Sequence, residues 1–353
     1  MEVLDLKEIL IKLHKTNNSL RKEHSGLYTA SLGEHYVNYV WIRDVYYQAK
    51  VNLKYNPDAY IQTYRSLLDY YKGLNYKYEN KLDNLIKRPF PLDNIRFIHP
   101  RFYPNLNEIT GNWGNLQIDT FGYFFLGIAE GVKNGLEIIR DDSDMDIINK
   151  LVKVLYKVQY WNIQDNGIWE EKEELHSSSI GAVVSGLKAL EEVEFIIPQK
   201  LITEGEKVLN NLLPNESITK TVDLSLMTLI YPFNILSESH SQTVLANVHA
   251  KLEKCNGVIR YANDTYYNIN GEAEWTFGLA YLFFAYIDTN FELAEKYLFK
   301  LLSLIDENGY VPELYFSNSN TPNDNNPLGW SVAMTILAID KYLEKKNPSG
   351  SDT

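Results

Sequence analysis

The stretch Ser177-Ser178-Ser179-Ile180-Gly181-Ala182-Val183-Val184-Ser185-Gly186-Leu187 holds small and apolar residues around its whole circumference, with no charge until Lys188. A helix of that kind is packed on every side. The segment before it, 145–161, has the opposite character, with lysines and acids on one face and Ile, Leu and Val on the other. It reads as a helix with one side in water. The same contrast recurs along the chain. Helical periodicity predicts about twelve helices, over 4–17, 39–54, 58–74, 116–132, 145–161, 177–193, 198–213, 222–233, 237–253, 275–288, 290–305 and 327–345. The alternation expected of half-buried strands is scarce. Outer and inner helices therefore follow one another in strict order, which predicts an all-α, (α/α)6 barrel, a toroid of helical hairpins around a central funnel. Its inner helices run parallel, so their N-termini share one rim.

The polar and aromatic loops fall before or at those inner N-termini: 41–44, 111–119, 166–171, 257–271 and 308–330. They are expected to converge on one cleft. No Pro/Gly/Ser linker divides the chain, so residues 1–346 are expected to form one domain, with 347–353 a disordered tail by composition.

A formal net charge of −12 would repel a phosphate backbone or an anionic lipid surface, which argues against nucleic acid and membrane as partners. Glu2, Asp5, Lys7 and Glu8 break up any signal-peptide core, and the apolar run from Trp275 to Ile287 is too short to span a bilayer. Cys255 is the single cysteine, so no disulfide forms within the chain. A cytoplasmic location fits. Histidines and acids show no zinc or calcium spacing, and there is no Gly-rich phosphate loop, so no metal or cofactor is indicated. His176 beside three serines lacks a nucleophile elbow, and the serines read better as helix caps.

Asn166-Gly167-Ile168-Trp169-Glu170-Glu171 sets two carboxylates beside a tryptophan, and Asn308-Gly309-Tyr310-Val311-Pro312-Glu313 supplies a third acid far downstream. A glycosidic bond is cut when one carboxylic acid protonates the leaving oxygen while a second carboxylate activates water or attacks, and an aromatic wall suits a sugar ring. Each motif also has a plainer reading. Glu170 and Glu171 could be a solvated helix-start pair, Glu313 an exposed acid in a turn, and Arg43-Asp44 a local ion pair. Trp113, Trp169 and Trp275 could be core aromatics. The 26 tyrosines suit either a large core or a cleft that stacks on sugars.

Taken in order, the motifs resemble glycoside hydrolase family 15, the glucoamylase-like family. In detail they are most similar to the N-terminal glucoamylase-like domain of the phosphorylase kinase regulatory subunit. Trp41-Ile42-Arg43-Asp44 resembles the W-x-R-D loop that hydrogen-bonds the nonreducing-end glucose. Trp169-Glu170-Glu171 resembles the W-E-E acid motif, Gly309 to Glu313 the base-bearing segment, and Gly257-Val258-Ile259-Arg260-Tyr261 with Asp264, Tyr266 and Trp275 a substrate-clamping segment. Similarity to the kinase subunit runs through Trp113-Gly114-Asn115-Leu116-Gln117-Ile118-Asp119, Glu174 to Ser179, Glu272 to Trp275 and Pro312 to Tyr315.

The resemblance implies Glu170 as general acid, its pKa raised with help from Glu171, and Glu313 as general base. Trp41, Arg43, Asp44, Trp113, Gln117, Asp119, Trp169, Glu171, Arg260, Tyr261 and Trp275 are then the sugar-binding set. It implies inversion, with carboxylates about 6.5–9.5 Å apart. The expected partner is an α-linked glucose oligosaccharide or polysaccharide, from which β-glucose is released. The kinase-subunit likeness implies the alternative of a non-catalytic sugar-binding or regulatory module with a protein partner.

Overall fold

The computed structural model describes residues 3–76, 80–111 and 113–347, leaving residues 348–353 of the expected tail outside the described residues. Its helices are α1 (Val3–Ser19), α2 (Ile42–Tyr55), α3 (Pro57–Tyr76), α4 (Lys81–Lys87), α5 (Asp119–Lys133), α6 (Asp142–Val158), α7 (Ser177–Glu191), α8 (Gln199–Leu212), α9 (Glu238–Lys251), α10 (Phe277–Tyr286), α11 (Phe291–Leu302) and α12 (Gly329–Lys346), with a 3-10 helix at Leu224–Leu229. Among the described residues, no helix is long and apolar enough to cross a membrane.

The inner elements close a ring. α2 packs on α5, α5 on α7, α7 on the 3-10 helix, the 3-10 helix on α10, α10 on α12, and α12 back on α2. Outside them, α1 lies on α12, α3 on α2 and α5, α8 on α7, α9 on the 3-10 helix, and α11 on α10 and α12, while α6 lies on α3 and α4. The fold is the (α/α)6 toroid. Local chemistry agrees with the layering. Asp141 caps α6 by accepting from the backbone N–H groups of Ser143 and Asp144, and Ile147, Leu151, Val154 and Val158 form its single buried stripe. α7 instead buries every residue from Ser177 to Leu187.

Three details differ from the sequence expectation. The short helix α4 stands at Lys81–Lys87, where no helix was expected. The segment 222–233 makes only one short 3-10 helix, because Asp223 caps it at Ser225 and Pro232, which has no N–H to continue a ladder, follows close behind. Two short antiparallel ladders also appear, too brief to show a period: β1 (Val40–Trp41) with β2 (Arg101–Phe102), and β3 (Glu274–Trp275) with β4 (Leu314–Tyr315). The first sets Trp41 opposite Arg101.

The middle of the ring is filled by aromatics. The Tyr47 hydroxyl bonds those of Tyr281 at 2.8 Å and Tyr123 at 3.2 Å. Trp330 stacks on Phe277 at 4.3 Å and on Tyr47 at 5.3 Å between ring centroids. This plug gives the funnel a floor.

Small residues set a close backbone contact in the ring, between α5 and α7. A Cβ on Gly122 would stand 2.3 Å from the Ala182 backbone, and one on Gly186 would stand 2.8 Å from the Gly122 Cα. Gly122→Ala therefore forces two helices apart. Urea unfolding is expected to show a loss of at least about 2 kcal/mol. Gly73→Ala, inside α3 with open space around it, is the control, expected neutral or stabilising by up to about 1 kcal/mol.

Candidate active site

The loops ahead of the inner helices meet around one cavity of about 930 Å³. Its wall includes Trp41, Arg43 and Asp44 from the start of α2, Trp113 from the loop before α5, Trp169 to Glu171 from the loop before α7, and Arg260 and Trp275 from the segment before α10. Glu313 and Trp330 enter from the α12 side. Trp330 lies on the floor, backed by Tyr47 and Phe277. The aromatic richness of the chain thus serves both roles: Tyr47, Tyr123 and Tyr281 fill the core, while Tyr36, Tyr39, Tyr266 and Tyr267 line the cavity.

Glu170 sits at the end of a turn, its N–H bonding the Gly167 carbonyl at 3.2 Å, and both residues adopt left-handed backbone with φ of 61° and 62°. Glycine meets that demand freely at 167. Glu170 bears the cost in a position that commonly marks function. Its carboxylate is aimed by two indoles. Trp41 Nε1 donates to Oε1 at 2.7 Å, and Trp113 Nε1 donates to Oε2.

Glu313 is 3% exposed. Its Oε2 accepts from the side-chain amides of Asn323 at 2.5 Å and Asn325 at 2.7 Å, and its Oε1 from the Tyr36 hydroxyl at 3.4 Å. Burial raises its pKa, opposed by those amide donors and by the charge of Arg260. Tyr36 bonds Tyr266 at 2.8 Å, and burial raises its pKa so far that it remains a proton donor. Asp44 is pushed up to about 7, first by burial, then with the charges of Glu170 and Glu313 adding to it against Arg43.

Other acids of the region are tied to cations. Arg43 donates through Nε to Asp119 Oδ2 at 2.9 Å and through Nη2 to Gln117 at 3.0 Å, and its Nη2 lies 2.7 Å from the same Asp119 oxygen in an ion pair. Gln117 and Asp119 thus stand behind Arg43 rather than on the cavity wall, and Arg43 pairs with Asp119 instead of its neighbour Asp44. Arg260 grips Asp264 at 2.6 Å and reaches Glu171 at 3.1 Å. Glu171 also takes Lys220 at 2.6 Å and the Tyr261 hydroxyl at 2.7 Å. Tyr261 therefore braces Glu171 from outside the cavity. Trp169 lines the cavity and anchors its indole on Asp223 at 2.8 Å.

Sequence reasoning missed Tyr36, Arg101, Lys220, Asn323 and Asn325. The asparagines lay in a loop already marked as polar. Among the described residues, no group of three or more His, Cys, Asp or Glu side chains could hold a metal ion.

A toroid of helical hairpins with its cleft at the inner N-termini is the glucoamylase fold. The chain matches the family model for glycosyl hydrolases family 15 over residues 6–212, more than half its length, and it belongs to that family. A curated relative is the phosphorylase b kinase regulatory subunit alpha, skeletal muscle isoform, of Mus musculus, 30% identical over 174 residues, or 44% of this chain. The matched part is 14% of that subunit. Among solved structures, a substituted glycosidase in complex with glucose is 20% identical with a TM-score of 0.79, covering 97% of this chain and 99% of the other. The glucoamylase of Hormoconis resinae is 14% identical with a TM-score of 0.68, covering 97% of this chain and 73% of the other. At those identities the likeness is one of fold.

His176 carries a charge that holds the acid loop in place. Its Nδ1 meets Asp165 at 2.7 Å, Asp165 accepts from the Ile118 N–H at 3.1 Å, and the ring faces Gly167 so closely that a Cβ there would meet Cε1 at 2.9 Å. The serines after it do not cap α7; Ser178 instead bonds Glu216. Although burial works against the charge, Asp165 and Glu216 raise the His176 pKa to about 9. The charged ring thus contributes stability that is complete below about pH 6.5 and lost as pH rises through about 9. Urea unfolding is expected to show the parent losing about 1–3 kcal/mol over that window. His176→Asn should be less stable at pH 6.5 and show a flatter decline.

Proposed function

We propose that this protein is an inverting, exo-acting α-glucoside hydrolase that releases β-glucose from a maltooligosaccharide, dextrin or related α-glucoside. The observation that carries the reading is a pair of carboxylates, Glu170 and Glu313, lining one aromatic cavity and each held by neutral donors rather than by an ion pair. The filled centre of the toroid supports exo action, since a cavity with a floor accepts a chain end and not the middle of a chain.

In this mechanism the nonreducing-end glucose sits against Arg43 and Asp44, with Gln117 and Asp119 keeping the guanidinium in place. Glu170 gives its proton to the glycosidic oxygen as the bond from that oxygen to C1 breaks. A water attacks C1 from the opposite face and loses a proton to Glu313. Inversion follows, and the two carboxyls return to their starting states by proton exchange with solvent. Tyr36, Asn323 and Asn325 stabilise ionised Glu313 until the water gives up its proton. Glu171 and Arg260, braced by Lys220 and Tyr261, offer hydrogen bonds to the departing sugar. Trp169 and Trp275 supply the ring wall.

Similarity to the phosphorylase b kinase regulatory subunit alpha favours a second reading, a sugar-binding regulatory module that keeps the cleft without turnover. Incubation of the parent and Glu313→Gln with maltose, maltotriose, isomaltose, trehalose and dextrin, followed by proton NMR, separates the two. β-Glucose should appear first with the parent, and its rate should fall by about 100- to 10,000-fold in the variant. Saturable sugar binding without glucose release from any of these substrates would instead support the regulatory module.

A further inference from the structure

The cavity wall contains one buried cation that no acid holds. Arg101 is 8% exposed, its Nε is buried, and its side chain makes no hydrogen bond or ion pair among the described residues. Its guanidinium lies against aromatic rings, with the guanidinium carbon 4.1 Å from the centroid of Trp113, 5.0 Å from Tyr39 and 5.4 Å from Trp41. Two of those rings are the indoles that donate to Glu170. The β1–β2 ladder sets Arg101 directly opposite Trp41. Trp113 is 44% exposed and makes no ring–ring contact among the described residues, so Arg101 and Glu170 are its principal anchors.

We propose that Arg101 is a positioning residue for the acid: stacked behind Trp41 and Trp113, it fixes the indoles whose N–H groups aim Glu170 at the leaving oxygen. A guanidinium suits this place. It is planar, weakly hydrated and always charged, so it stacks on rings where an ammonium would seek water. It also presents positive charge to Glu170 without bonding to it. When the proton leaves Glu170, the new negative charge therefore develops beside a fixed cation, and no ion pair has to break for the acid to be reprotonated. Arg43 and Arg260 cannot take this part, being committed to Asp119 and Asp264.

The kinetic arm of the test rests on the hydrolase reading, and the spectroscopic arm does not. Arg101→Met and Arg101→Lys are compared with the parent on phenyl α-glucoside, 4-nitrophenyl α-glucoside, α-glucosyl fluoride and maltose. Loss of acid positioning should depress kcat in proportion to the leaving group's need for a proton. Arg101→Met should lose about 10- to 100-fold on phenyl α-glucoside and maltose, and far less on the fluoride. Arg101→Lys should restore only part of this. Equal losses on all four substrates, or a rise in KM confined to maltose, would overturn the proposal; the latter would make Arg101 a contact for the departing sugar.

The second arm follows the indole N–H signals of Trp41 and Trp113 by NMR. In the parent, Glu170→Gln should shift both signals. In the Arg101→Met background that response should vanish, because the rings no longer face residue 170. An undiminished response would overturn the positioning role whatever the kinetics. A parent that hydrolyses none of the glucosides would defeat the hydrolase reading alone, leaving these signals to decide the place of Arg101.

Discussion

Every other feature depends on one constraint: the inner elements must close a ring while all running in the same direction. A close backbone approach in that ring, Gly122 against Ala182 and Gly186, requires residues with almost no side chain. Parallel inner elements then bring their N-terminal ends to one rim. The loops that enter those elements have nowhere else to meet, so residues as distant as Trp41 and Glu313 share a wall. Helix N-termini carry partial positive charge and unpaired N–H groups. A rim made of several such ends softens the crowding of Asp44, Glu170, Glu171 and Glu313 on a protein of net charge −12, although burial still raises the pKa of Asp44 and Glu313.

The acids gathered there fall into two groups by what holds them. Asp119, Asp264 and Glu171 are tied to Arg43, Arg260 and Lys220, so protonating any of them would break an ion pair. Glu170 and Glu313 receive only neutral donors: indoles in one case, amides and a phenol in the other. A group that must give up or take a proton in each cycle cannot also serve as half of a buried ion pair without paying for its rupture every time. Under the proposed hydrolysis, the distinction separates framework from chemistry without reference to any motif. It also gives Arg101 its meaning, as the cation kept near an acid but not bonded to it.

The fold was largely legible because helical packing writes a local pattern. Small residues around all of 177–187 and a single apolar stripe on α6 each follow from a few consecutive turns. The 3-10 helix at 224–229 escaped because apolar content alone does not distinguish it from an α-helix. α4 escaped because seven residues carry little periodicity. In the site, Trp41, Arg43, Asp44, Trp169, Glu170 and Glu171 could be read because their neighbours in sequence are also neighbours in the cavity. Arg101 could not, since its place comes from a two-residue ladder to Trp41. Tyr36 could not either, because its bond to Glu313 crosses 277 positions. His176 was visible but its role was not: beside three serines it suggested a capping segment, whereas its partner is Asp165, eleven residues earlier.

The rim is costly to the molecule that carries it. Burial raises the pKa of Asp44, Glu313, Glu216 and Asp223, so ionising each of them near neutral pH opposes folding. Glu170 adds a left-handed backbone in a residue with a full side chain. A toroid that had only to stand could replace these groups with apolar residues and become more stable, since well-packed apolar replacements of buried ionic groups are often neutral or stabilising. Asp44, Glu170 and Glu313 line the cavity itself, whereas acids of the helical shell such as Asp144 are paired with Arg140 and Lys72. Natural proteins depart from local consistency where function requires it. Buried Asp44 and left-handed Glu170 therefore point to the same cavity as the carboxylate pair, on grounds independent of any relative.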